Sequence, residues 1–178
     1  VNTIYGCSFS RSNIEEIHFP KSLIDLKKGW CSDTEKLTKI IISPSNDQFL
    51  FKEDKYLYGK NDPKKDEFDT LLFVRRDIEE ISIQPNIKVI ESFSFERSII
   101  NEIFIPLSVK KICECAFLNC KNLRKVEFAT NSDLQLIESY AFSNSNIKEI
   151  FIPSSVTKIR EGAFSNCRNL TKIEIPHN

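Results

Sequence analysis

Six cysteines, two histidines and many carboxylates are the residues through which this chain could do chemistry, so their spacing comes first. The tightest group is Cys113-x-Cys115 with Cys120 close behind. Zinc wants four ligands, and neither His18 nor His177 lies near those thiols along the chain. No metal site is expected. His18 reads as an exposed strand position and His177 stands at the end of the sequence, so a Cys/His or Ser/His pair of nucleophile and base would be accidental. Glycines stand only at 6, 29, 59 and 162, too scattered to cradle a phosphate. The residues point to no cofactor and no catalysis, so an enzyme is not expected.

Charge narrows the partners further. The 25 basic and 25 acidic residues cancel, which gives neither nucleic acid nor an anionic membrane an electrostatic handle. No apolar run approaches the ~20 residues of a membrane-spanning helix, so this segment is not expected to insert. Met is absent and Gly scarce, while Phe is abundant with 14 residues. A chain short of Gly must turn on Pro, Asn and Ser, and repeat architectures do so at a fixed period.

That period is visible. Residues 100–123 read INEIFIPLSVKKICECAFLNCKNL and residues 147–170 read IKEIFIPSSVTKIREGAFSNCRNL. The shared template [LI]xx[IV]x[IF]Pxx[VIL]xx[IL]xxxAFxxC places its leading apolar residue at Ile14, Leu37, Ile78, Ile100, Leu123, Ile147 and Leu170. Its aromatic position falls at Phe9, Phe95, Phe117, Phe142 and Phe164, with Cys31 in the early repeat. The LxxIxI segment alternates like a strand. Pro closes that strand because it has no N–H for the next ladder bond. The VxxI that follows returns apolar residues inward, and Ala-Phe pairs a small side chain with a large one so that rungs can stack. One rung cannot bury that face, whereas a stack can. The template is entered partway at Ile4 and left partway at Pro176. The chain is therefore expected to be a single solenoid over 1–178, a piece of a longer array with flanking repeats of the same chain.

One repeat is out of step: Leu37 to Ile78 spans 41 residues. Within it, Tyr56-Leu57-Tyr58 and Leu71-Leu72-Phe73-Val74 flank the polar GKNDPKKDEFD. This reads as an atypical repeat over 46–77, with a β-hairpin on the convex side in place of the usual turn. Trp30-Cys31 stands where Ala-Phe is expected, and Trp30 is expected to fill the space the missing turn leaves.

The stack also assigns the thiols. Cys120 and Cys167 share a column two rungs apart. At ~4.8 Å per strand that is ~10 Å, beyond the ~7 Å limit between Cα atoms for a disulfide; buried free thiols are expected. Cys113 shares its column with Glu91, Glu138 and Arg160, which points to an exposed thiol.

Two columns should face solvent from the LxxIxI strands. Glu16, Lys39, Glu80, Glu102, Lys125, Glu149 and Lys172 alternate in sign at most steps, as stacked strands need to avoid like-charge neighbours. The other column reads His18, Ile41, Ser82, Phe104, Glu127, Phe151 and Glu174. Apolar anchors in a polar rim are what binding surfaces use. Phe104, Phe151, Ile41, Glu127 and His18 are therefore the candidate partner-binding residues. The alternative is that Phe simply suits an exposed strand or packs on a neighbouring module.

The signature IPxSVxxIxxxAFxxCxxL resembles the BspA-like leucine-rich repeats of bacterial surface proteins and of protist parasites such as trichomonads and entamoebae. Asn46, Phe49, Leu57-Tyr58 and Thr70-Leu71-Leu72-Phe73 resemble a variant repeat of the same family. The resemblance implies a leucine-rich-repeat solenoid of α/β type but mostly β. We expect it to be curved and right-handed, with one parallel concave sheet of about seven strands and short helical pieces outside. It also implies protein binding or adhesion, by a cell-surface or secreted surface antigen engaging a host protein, with no catalytic residues to carry over. An intracellular scaffold repeat, cytoplasmic or cytoskeletal, bound within an assembly protein complex, is the alternative. The single sequon, Asn169-Leu170-Thr171, is what chance predicts and does not decide between them.

Overall fold

The structure is a computed structural model that describes residues 1–176. It is a mostly β solenoid of about seven turns. Among the described residues fifteen strands fall into two series and one insertion. The LxxIxI segments give β2 (Glu16–Phe19), β4 (Lys39–Ile42), β9 (Glu102–Ile105), β11 (Lys125–Phe128), β13 (Glu149–Phe151) and β15 (Lys172–Glu174). The VxxI returns give β1 (Thr3–Ile4), β3 (Asp25–Leu26), β8 (Val89–Ile90), β10 (Lys111–Ile112), β12 (Leu136–Ile137) and β14 (Lys158–Ile159). The long repeat adds β5 (Phe49–Lys52), β6 (Tyr56–Gly59) and β7 (Thr70–Val74).

The aromatic column is a continuous interior stack. Ring centroids lie 4.5 Å apart from Phe95 to Phe117, 4.9 Å from Phe117 to Phe142 and 5.4 Å from Phe142 to Phe164, and the last two pairs are nearly parallel. These spacings bracket the separation of adjacent strands. One rung of backbone therefore carries one ring.

The concave sheet differs from expectation. Its strands pair two by two, β2 with β4, β9 with β11 and β13 with β15, all parallel. Residues 78–83 form no strand, and the Ser82 N–H donates to the Tyr56 hydroxyl at 3.1 Å. The long sheet lies instead along the return, in the order β14-β12-β10-β8-β7-β6-β5.

The expected helical pieces are also absent: no helix forms among the described residues. Each outer corner holds two left-handed residues four apart. They are Cys7 and Arg11, Gly29 and Asp33, Phe93 and Arg97, Cys115 and Asn119, Tyr140 and Asn144, and Gly162 and Asn166. A left-handed residue breaks the helical path and costs about 1–2 kcal/mol when it carries a Cβ. The corners recover that cost along the stack. Cys115 N–H donates to Ser139 O, Asn119 N–H to Ser143 O, Tyr140 N–H to Glu161 O and Asn144 N–H to Ser165 O, at 2.8–3.1 Å. A helix would point those donors along its own axis. Here they point at the next rung.

The insertion is a three-stranded antiparallel meander that continues the return sheet on the convex side through the β7–β8 pair, packed in rather than hung outside. Every residue of β6 and β7 is buried, as both-faced apolar strands must be. Leu72 is an extra residue between the pairs Leu57–Phe73 and Tyr58–Leu71. This bulge lets Leu71 and Val74 join one core while Leu72 and Phe73 join another. The meander is thus a wall between two hydrophobic clusters. Trp30, 2% exposed, packs against Phe19 at 5.7 Å and against Phe73 of the wall at 6.0 Å. It fills the space where a corner is missing.

A buried cation completes the seam. Arg76 is 5% exposed and lies 4.8 Å over the Phe73 ring. Its guanidinium donates to Phe93 O at 2.9 Å and to Ser94 O, beside the Val74 N–H that the long repeat itself gives to Ser94 O at 2.9 Å. Glu96, also buried, accepts the Asp33 N–H at 2.9 Å from the other side of the seam.

Candidate binding surface

The strand faces built this way carry the candidate residues, but not as one surface. Phe104 and Glu127 are register partners on β9 and β11, and Phe151 holds the equivalent position on β13. Phe104 is 54% exposed and Phe151 51%, and with Glu127 they line one groove. His18 and Ile41 are register partners on β2 and β4. They line a separate, mostly apolar groove with Phe19, Pro20 and Pro44. The strandless segment 78–83 and the meander divide the two patches.

One wall of the Phe104–Phe151 groove was not anticipated. Residues 129–132 bulge at the end of β11, with Asn131 in the left-handed region at φ 59°. The signal was present: Phe128-Ala129-Thr130-Asn131 replaces the Ile-Pro that ends neighbouring strands. Without Pro the chain runs on into a loop.

The charged column is realised only in part. Lys39 reaches across to Glu16 at 2.6 Å; Lys39 and then His18 hold the Glu16 carboxyl below the usual range. Elsewhere the pairs run along the strand, Lys125 to Glu127 at 2.7 Å and Lys172 to Glu174 at 2.5 Å. Residues two apart on a strand share a face, so the second column competes for the same lysines. Lys172 Nζ also lies 5.2 Å from the centre of the Phe151 ring.

All six cysteines are unpaired. Cys120 and Cys167 are buried, and their thiols donate to Phe95 O at 3.0 Å and Phe142 O at 3.1 Å. The exposed thiol expected at Cys113 is a correction: it is 2% exposed. β10 lies inside the continuous return sheet between β8 and β12, and the neighbouring rungs cover a side chain this short. Burial, then the Glu91 charge, raises the Cys113 thiol. Burial pushes Cys31 and Cys115 up to about 11 and Cys120 up to about 12. Thiolate is the reactive form, so a maleimide at neutral pH should label Cys7 alone in the folded protein. Prompt labelling of two or more thiols would contradict this packing. Among the described residues no three His, Cys, Asp or Glu are grouped to hold a metal ion, and His177 lies outside them. Among the described residues no helix is long and apolar enough to cross a membrane.

A parallel stack of strand-corner rungs, with its apolar columns inside and an exposed strand face, defines a leucine-rich-repeat solenoid. The chain belongs to the BspA-type leucine-rich repeat family, whose model matches in six copies across residues 1–99 and 66–178. No curated protein matches it. Among solved structures it is similar to the pneumococcal vaccine antigen PcpA, at 20% identity and a TM-score of 0.83, over 97% of this chain and 42% of that one. It is also similar to a leucine-rich cell surface protein of Faecalibacterium prausnitzii, at 26% identity and a TM-score of 0.72, over 98% of this chain and 51% of the other. A leucine-rich-repeat protein of Eubacterium ventriosum shares the fold at 18% identity and a TM-score of 0.62, over 93% of this chain and 50% of that protein. The chain thus spans about half the length of these relatives or less.

Proposed function

We propose that this segment is a non-enzymatic protein-binding module of a cell-surface or secreted protein, engaging a host protein through the strand face at Phe104, Glu127 and Phe151. The observation that carries the reading is two Phe side chains, each about half exposed, in one groove. An exposed strand could hold polar residues there without loss, whereas buried aromatic anchors dominate binding energy in protein interfaces. The family and the surface relatives support the setting. Ile41 and His18 form a second, smaller patch that a long partner would reach.

The expected result of a Phe104→Ser/Phe151→Ser double substitution is at least roughly 30-fold weaker partner binding, for a hot spot of 2 kcal/mol or more. The melting temperature should scarcely change. Pull-down with both forms under identical conditions measures this, and equal partner recovery would reject the groove. The six unpaired cysteines favour a second reading, an intracellular scaffold repeat within an assembly. Biotinylation of intact cells with an impermeant reagent separates the two: a labelled protein is displayed, an unlabelled one is inside.

A further inference from the structure

We infer that the slot between Phe104 and Phe151, floored by Glu127, receives an arginine side chain of the protein partner; this rests on the protein-binding reading and adds the chemistry recognised. Geometry comes first. The two rings stand on the rungs either side of β11, and successive rungs step by 4.9–5.4 Å in the interior ring stack, so their Cα atoms are roughly 10 Å apart. A cation midway lies about 5 Å from each ring, inside the ~6 Å reach of a cation–π contact. A guanidinium is flat enough to enter between two rings and fork onto one carboxylate, which an ammonium cannot do. Glu127 presents that carboxylate from the strand between them.

Charge points the same way. The exposed positions of β9, β11, β13 and β15 carry Glu102, Glu127, Glu149 and Glu174 against only Lys125 and Lys172. Four minus two leaves the face net negative. The Phe151 ring already holds a cation in this structure, Lys172 Nζ at 5.2 Å, from the rung on its far side. Lys125, now 2.7 Å from Glu127, is held only by an exposed pair of small value. Its register partner Glu102 stands ready to take it when an arginine displaces it.

The test titrates the full chain with N-acetyl-arginine amide while observing Phe ring resonances by NMR, beside the neutral isostere N-acetyl-citrulline amide. Saturable shifts confined to Phe104 and Phe151, at least tenfold weaker for citrulline, are expected. Glu127→Gln and Phe151→Ser should abolish them, Phe151→Tyr should keep them, and Tyr5→Ser on the first rung should leave them unchanged. No saturable shift, equal response to citrulline, or survival in Glu127→Gln overturns the inference. If the double Phe substitution still abolishes partner capture, the protein-binding reading stands and only the arginine assignment falls. If arginine titrates the slot but partner capture ignores the double substitution, the groove binds arginine outside any interface, and the inference about the partner falls.

Discussion

Phe117→Ala should cost about 3–5 kcal/mol, the range for removing a fully buried aromatic side chain. For a chain of this length that lowers the melting temperature by roughly 6–20 °C. Phe117 is 0% exposed and stacks on a ring from each side, Phe95 at 4.5 Å and Phe142 at 4.9 Å. Its backbone is held as well: the Phe117 N–H donates to Ala141 O at 2.7 Å and cannot shift to close the cavity. Phe164 has one ring neighbour and is only partly buried, so Phe164→Ala should cost less. Urea unfolding of both variants measures the difference. A loss below 1 kcal/mol at Phe117, or a larger one at Phe164, would mean that the rings do not form the interior stack.

Arg76→Met should be the next most damaging change, at about 2–4 kcal/mol. Met keeps much of the volume and relieves the burial of a charge. It leaves the Phe93 carbonyl with the Glu96 N–H and the Ser94 carbonyl with the Val74 N–H, but removes the charged donor from both, and a hydrogen bond to a charged group is worth about 1.5–3 kcal/mol. It also strips a nearby cation from Glu96, whose carboxyl burial already raises while Arg76 lowers it. The pH sense follows. A carboxyl raised in the folded state binds its proton more tightly there than when unfolded, so stability falls as pH climbs through its titration. Without Arg76 the rise is larger, and the deficit of Arg76→Met should widen from acid towards neutral pH.

The same variant tests whether the seam couples the two clusters. In a repeat stack, stability is a sum of rungs and of interfaces between neighbours. Weakening one interface should let residues 1–49 exchange amide hydrogens faster than residues 100–170, where the wild type protects both. Arg76→Lys should rescue little, since a single ammonium cannot span carbonyls that the planar fork reaches together. Equal protection of both halves in Arg76→Met would mean that the wall, and not the cation, joins them.

The repeat beat determined a good deal by itself. Phe95, Phe117, Phe142 and Phe164 were legible as one interior column, because each rung touches only its neighbours and spacing along the chain then becomes height in the stack. The exposure of Phe104, Glu127 and Phe151 followed from the same alternation. The tertiary structure decided what no nearest-neighbour rule encodes. Left-handed corners at Cys7, Phe93, Cys115 and Tyr140 carry side chains that do not advertise that conformation, and at Cys7, Cys115 and Tyr140 an N–H bond to the next rung supports it. Cys113 is buried because flanking strands cover it, although its column holds charges elsewhere. β5–β7 could have hung outside; that they wall off two cores, and so part His18 and Ile41 from the other candidate residues, depends on which distant apolar surfaces meet. Local period governs contacts between adjacent rungs, and the packing of an element with no counterpart in the period is settled only by the whole chain.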